Sequence, residues 1–151
     1  MRFGLAIQND FPANLRPADL VAPMREQVAA AAEAGFSSVW MLQHYLGNLP
    51  TLQPIPTLAA LAADAGDMAI GTNMLILPLH HPVEVAETYA TLDHLSGGRA
   101  VAGFGLGYRE NEFESFGIPW TSASPGTRSR WRSSVRCGRA SRSTSPGGTT
   151  R

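Results

Sequence analysis

Short apolar runs alternate with amphipathic stretches through the first two thirds of the chain. Arg2 to Gln8 reads as a strand, with Phe3, Leu5 and Ile7 alternating with Gly4 and Ala6. Leu20 to Ala34 predicts a helix: Val28, Ala31 and Ala32 share a face at helical spacing, and Gly35 suits its C-terminal stop. Ser38 to Leu42 is a second apolar run. Gln43 to Pro56, with three prolines, reads as a loop long enough to be functional. Thr57 to Ala65 predicts a second helix, Met68 to Leu77 a third strand and Pro82 to Leu95 a third helix. That last helix is opened by a proline and closed by Ser96-Gly97-Gly98. Ala100 to Phe104 completes the series as a fourth strand.

The order is βαβαβαβ, with strand starts about 30 residues apart. Buried strands joined by helices require a parallel sheet, either doubly wound or a (β/α)8 barrel. A dinucleotide-type sheet is disfavoured because the first strand leads into Gln8-Asn9-Asp10-Phe11-Pro12, not a glycine-rich phosphate turn. Gly103, Gly105 and Gly107 follow the fourth strand and precede an acidic stretch, which would repel a phosphate. The fold class expected is α/β: the first half of a TIM-type (β/α)8 barrel, about four βα units. Polar residues and glycines gather after each strand, and that end of such barrels carries the chemistry.

Charge divides the chain where the periodicity stops. All 12 acidic residues lie at or before Glu114, against Arg2, Arg16, Arg25, Arg99 and Arg109, so this part carries −7. The remaining seven arginines give a tail of +7, rich in Arg, Ser and Gly, without acid or period. Residues 1–120 are therefore expected to form the partial barrel and 121–151 a disordered tail. The chain has no lysine, as a GC-rich gene would favour, and the tail reads as out of frame. Shifted codons, each taking the last base of one codon and the first two of the next, can spell LAELRALWAGEPVDFTGRHY beneath Arg130 to Arg151. This hides an amphipathic helix and an alternating strand. A single cysteine, Cys137, excludes an internal disulfide and a cysteine metal cluster, and no metal is expected. No apolar run reaches the roughly 20 residues of a membrane span, so a cytoplasmic protein without membrane contact is expected. Binding of nucleic acid by the basic tail is not expected, given the neutral total.

Six strings occur in an order that resembles the luciferase-like flavin-dependent monooxygenases. They are Ser38-Val-Trp-Met-Leu-Gln-His-Tyr45, Leu52-Gln-Pro-Ile-Pro56, Gly71-Thr-Asn-Met-Leu-Ile-Leu-Pro78, Pro82-Val-Glu-Val-Ala-Glu87, Leu92-Asp-His-Leu-Ser-Gly-Gly-Arg99 and Gly103-Phe-Gly-Leu-Gly-Tyr108, with Glu112-Phe113 beyond. The resemblance covers about 118 residues, the N-terminal half of such a protein. It implies a (β/α)8 barrel that binds reduced FMN, or in one branch the deazaflavin coenzyme F420, at the strand C-termini. It implies oxidation of a small organic substrate with O2, a flavin reductase as supplier and homo-oligomers among intact relatives. The alternatives are deazaflavin-dependent hydride transfer and an inactive truncated fragment.

His44 is the catalytic candidate, because an imidazole there can act as a general base. The resemblance implies a bulge with a non-prolyl cis bond at Asn73-Met74, with Asn73 and Met74 against the flavin ring. Gly105 and Tyr108 are the further cofactor candidates, the glycine backbone admitting a flat ring. Leu106 stands where the luciferase loop has a phosphate-holding arginine, and Gln43 where deazaflavin members carry an acid. His80 and His81 are expected in turn packing, His94 as structural, and Asp93 with Arg99 as an ion pair across the turn.

Overall fold

The computed structural model describes residues 1–16 and 18–120; the tail expected at 121–151 lies outside the described residues. Strand β1 (Gly4–Ile7) is followed by α1 (Ala18–Glu33), β2 (Ser38–Met41), α2 (Pro54–Leu61) and β3 (Ala69–Thr72). Then come β4 (Leu75–Ile76), a single 3-10 turn (Leu77–Leu79), α3 (Pro82–Leu95), β5 (Ala100–Val101), β6 (Phe104–Gly105) and α4 (Glu110–Ser115).

All strand pairs are parallel, and the main sheet runs β1-β2-β3-β5, in chain order. A doubly wound sheet would reverse direction at a switch point. Sequential addition without reversal is how a barrel wall grows, and the α/β reading holds. The outward strand residues Ile7, Val39, Met41 and Ile70 join Met24, Val28, Leu58, Leu61 and Leu92 of the helices in one buried cluster.

Element ends depart from the sequence reading for identifiable reasons. Helix α2 starts at Pro54, three residues before the expected Thr57, because both prolines fall in its first turn, where a missing N–H costs nothing. The third and fourth strands are each interrupted. Asn73-Met74 is a cis peptide bond, as the resemblance implied, and the chain resumes as β4, which pairs with β6 as a separate two-stranded ladder that periodicity did not foresee. The halves stay stitched together: Asn73 N donates to Met41 O at 2.8 Å and Leu75 N to Gly103 O at 2.8 Å. Glycine is required at this seam, since a Cβ on Gly103 would collide with the Thr72 carbonyl. The fourth unit also has a helix that periodicity did not reveal, α4, with Glu110 and Glu112 in its first turn, favourable to the helix dipole.

Asp93 and Arg99 do not pair. Arg99 instead donates to three carbonyls, Ser96 at 2.6 Å, Met68 at 2.8 Å and Ala62 at 2.8 Å, while Asp93 accepts from Ala100 N at 3.1 Å. Carbonyls left open at the ends of α2 and α3 need donors more than an exposed carboxylate does. The Leu92–Arg99 string is thus a lock between two βα units.

Candidate functional site

The loop after β2 is tied down before it delivers any side chain. Asn9, 1% exposed, donates through Nδ2 to Leu42 O at 2.9 Å and to Leu52 O at 2.6 Å, and its own carbonyl accepts from Leu52 N. Gln43 N donates to Met74 O at 3.2 Å, which joins this loop to the cis peptide. The buried Gln43 amide is saturated. Its Oε1 accepts from Ile76 N at 2.9 Å and His80 Nε2 at 3.0 Å, and its Nε2 donates to Tyr45 OH at 3.0 Å and Gln53 Oε1 at 3.2 Å. Since Ile76 N can only donate, the amide orientation is fixed, and His80 must carry its proton on Nε2. Burial pushes His80 below the usual histidine range, opposed by Glu84. The Tyr45 hydroxyl is pushed up, first by burial and then by Glu84 and Glu112, with the Gln43 bond opposing.

Next along the chain, His44 Nδ1 lies 3.1 Å from Glu112 Oε1, which also accepts from Tyr45 N at 2.8 Å. Glu112 is 0% exposed, and its Oε2 has no partner among the described residues. A carboxylate accepts, so Nδ1 is the protonated nitrogen and Nε2 the open one. Nε2 lies 3.5 Å from Tyr108 OH, and the two rings meet edge to face at 5.7 Å. Tyr108 is 68% exposed. His44 also lines a cavity of roughly 460 Å³ with Asp10, Leu42, Leu46, Leu49, Arg109 and Asn111.

The five residues singled out from sequence separate into two groups. His44 and Tyr108 are in contact, and of the two His44 lines the cavity. Asn73 and Met74 are exposed at the strand break, and Gly105 lies beneath Met74: a Cβ there would stand 2.9 Å from Met74 Cε. The bareness of Gly105 is taken up by this neighbouring side chain. Glu112 was not singled out for chemistry, although it stood in the recognised Glu112-Phe113 string. Its one signal was its place beside Phe113, which is itself fully buried, since Glu110 and Glu114 flank it and make it look like one charge of an exposed acidic run. Of the other histidines, His81 caps α3, accepting from Val83 N at 3.3 Å, and so is held in the turn as expected. Among the described residues, no group of three or more His, Cys, Asp or Glu could hold a metal ion, and no helix is long and apolar enough to cross a membrane.

The family described as luciferase-like monooxygenase matches residues 1–130. Limonene 1,2-monooxygenase of Rhodococcus erythropolis is 34% identical over 85 residues, 56% of this chain and 22% of that one. The F420-dependent glucose-6-phosphate dehydrogenase of Beutenbergia cavernae is 36% identical over 111 residues, 69% of this chain and 31% of that one. Among solved structures, monooxygenase RslO1 from Streptomyces bottropensis superposes with a TM-score of 0.78 at 27% identity, covering 92% of this chain and 42% of that one. The chain thus spans less than half the length of these relatives.

Proposed function

The chain belongs to the luciferase-like monooxygenase family, and from that premise we propose that it provides the flavin-facing half of an oxidoreductase site, with His44 as the proton-handling group. The observation that carries this reading is the His44–Glu112 pair. A buried carboxylate holds Nδ1, Nε2 stands 3.5 Å from the Tyr108 hydroxyl, and the imidazole lines a cavity at the C-terminal ends of parallel strands.

The residues present fit a flat, largely apolar ring. Met74, Phe104, Leu106 and Tyr108 leave apolar surface exposed around the strand break, with Asn73 beside them as a polar contact. Asn73, Met74 and Tyr108 would hold the ring, and Gly105 would seat Met74 under it. Reduced FMN, when bound, supplies the electrons with which O2 oxidises an organic substrate. Leu106 offers no charge for a phosphate. His44 holds or takes a proton at Nε2, Glu112 fixes its tautomer, and the exposed Tyr108 OH stands beside Nε2 as its proton partner. The Gln43 network holds the loop on which His44 stands.

A second reading is hydride transfer with deazaflavin F420, favoured by the likeness to the F420-dependent dehydrogenase. Small-molecule substrates, a reductase partner, homo-oligomers and a cytoplasmic setting belong to the same proposal. Anaerobic titration of the purified chain with reduced FMN and, separately, reduced F420 tests both. Saturable FMN binding is expected and, once O2 is admitted, substrate-dependent O2 uptake that falls about 10²-fold in His44→Ala. Binding of F420 alone would move the function to hydride transfer, and binding of neither would end the proposal.

A further inference from the structure

The five arginines among the described residues have different fates. Arg16 and Arg25 pair with Asp19 and Asp64, Arg99 is used up on three carbonyls, and Arg2 is exposed. Arg109 is half-buried, yet its guanidinium makes no ion pair or hydrogen bond with any described residue. It is held in place nevertheless. Its guanidinium carbon lies 5.7 Å from the Tyr108 ring centroid, and its Nη1 stands over Gly47, where a Cβ would meet it at an ordinary contact distance of 3.4 Å. The group lines the same cavity as His44. A positioned guanidinium with unfilled donors in a concave site is suited to receive an oxyanion in a two-pronged contact.

We propose that this cavity takes a substrate with one carboxylate on an apolar body, the acid group received by Arg109 and the body lying along Leu42, Leu46 and Leu49 toward His44. Resting on the reading of His44 as part of the active site, the inference adds the chemical class of the substrate. Two features favour a single carboxylate over a phosphate. Asp10 lines the same cavity and offsets the charge of Arg109, so a dianion would meet a lining of no net charge, whereas a monoanion asks only for local pairing. Three leucines also give the cavity an apolar stretch that a phosphate group would not use.

Ligand-observed NMR on the full 151-residue chain tests this with octanoate and its neutral isostere octanamide. In the wild type, octanoate is expected to bind about ten- to a hundredfold tighter than octanamide. In Arg109→Gln that preference is expected to vanish while octanamide binding stays unchanged, which also reports that the cavity is intact. Should the variant not fold, the wild-type ratio alone decides. Equal binding of the two probes, no binding of either, or a preference that survives Arg109→Gln overturns the proposal. Displacement of octanoate by submillimolar inorganic phosphate would assign the guanidinium to a phosphate and overturn it too. The two readings fail separately: octanoate binding without reduced-FMN binding sinks the flavin proposal and keeps the carboxylate site, and the converse keeps only the flavin proposal.

Discussion

A carboxylate removed from solvent costs several kcal/mol unless donors replace its water, and Glu112 has two, Tyr45 N and His44 Nδ1, both on Oε1, with none on Oε2 among the described residues. Its role follows from that balance. Tyr45 N anchors the oxygen, and the imidazole is oriented by it. Glu112→Gln removes the charge and can turn its own N–H groups toward His44. It is expected to release the Nδ1–H preference, seen as a change in the imidazole 15N shifts, and to lower turnover about 10²–10⁴-fold on any accepted substrate. Unchanged shifts would show that Glu112 does not set the tautomer. His44 and Tyr108 stood out as candidates in the sequence because the resemblance placed both at strand ends, and the structure brings their side chains to 3.5 Å. Glu112 was legible only as part of a family string. Its chemistry depends on α4 folding back over the loop after β2, a contact 68 residues apart in sequence that no local pattern encodes.

At the scale of elements, periodicity found every helix of three or more turns and the line of every strand, because each has an apolar face against the common cluster. It could not see where the third and fourth strands break, since Asn73-Met74 and Ala102-Gly103 lie inside otherwise apolar runs. That seam makes a stability prediction. The Thr72 carbonyl beside Gly103 is backbone and cannot rotate away, so Gly103→Ala should cost about 1–3 kcal/mol in denaturant melts. A change near zero would mean that the two strands part more easily than their stitching implies. The turn before α3 makes a second. Burial holds folded His80 below its unfolded value, so the unfolded chain takes up the proton first as pH falls. The stability tied to a neutral His80 is therefore present above about pH 6.5 and declines as pH drops below it. His80→Gln should flatten that part of the stability–pH curve, and an unaltered slope would assign the acid sensitivity to other groups.

For the molecule as a whole, the βα alternation and the absence of a glycine-rich turn after the first strand made the barrel reading legible, and the strand order β1-β2-β3-β5 agrees with it. Substrate identity was not legible, because the chain spans 42% of the RslO1 structure and later loops of such barrels help shape their pockets. The same shortfall has a physical consequence. Among the described residues, β1 has no neighbour beyond β2, and β5 has none beyond β3, so the sheet presents an open edge on each side. Open parallel edges flanked by exposed Phe3 and Val101 are templates for further pairing. Expressed by itself, the 151-residue chain is expected to associate at tens of micromolar, a range in which exposed edges drive assembly. Sedimentation velocity across a dilution series measures this. Val101→Lys, which puts a charge beside the β5 edge, should shift the distribution toward monomer while leaving the thermal midpoint within a few degrees. A chain that stays monomeric throughout the series would show that the edges are protected and that this half of the wall is self-sufficient.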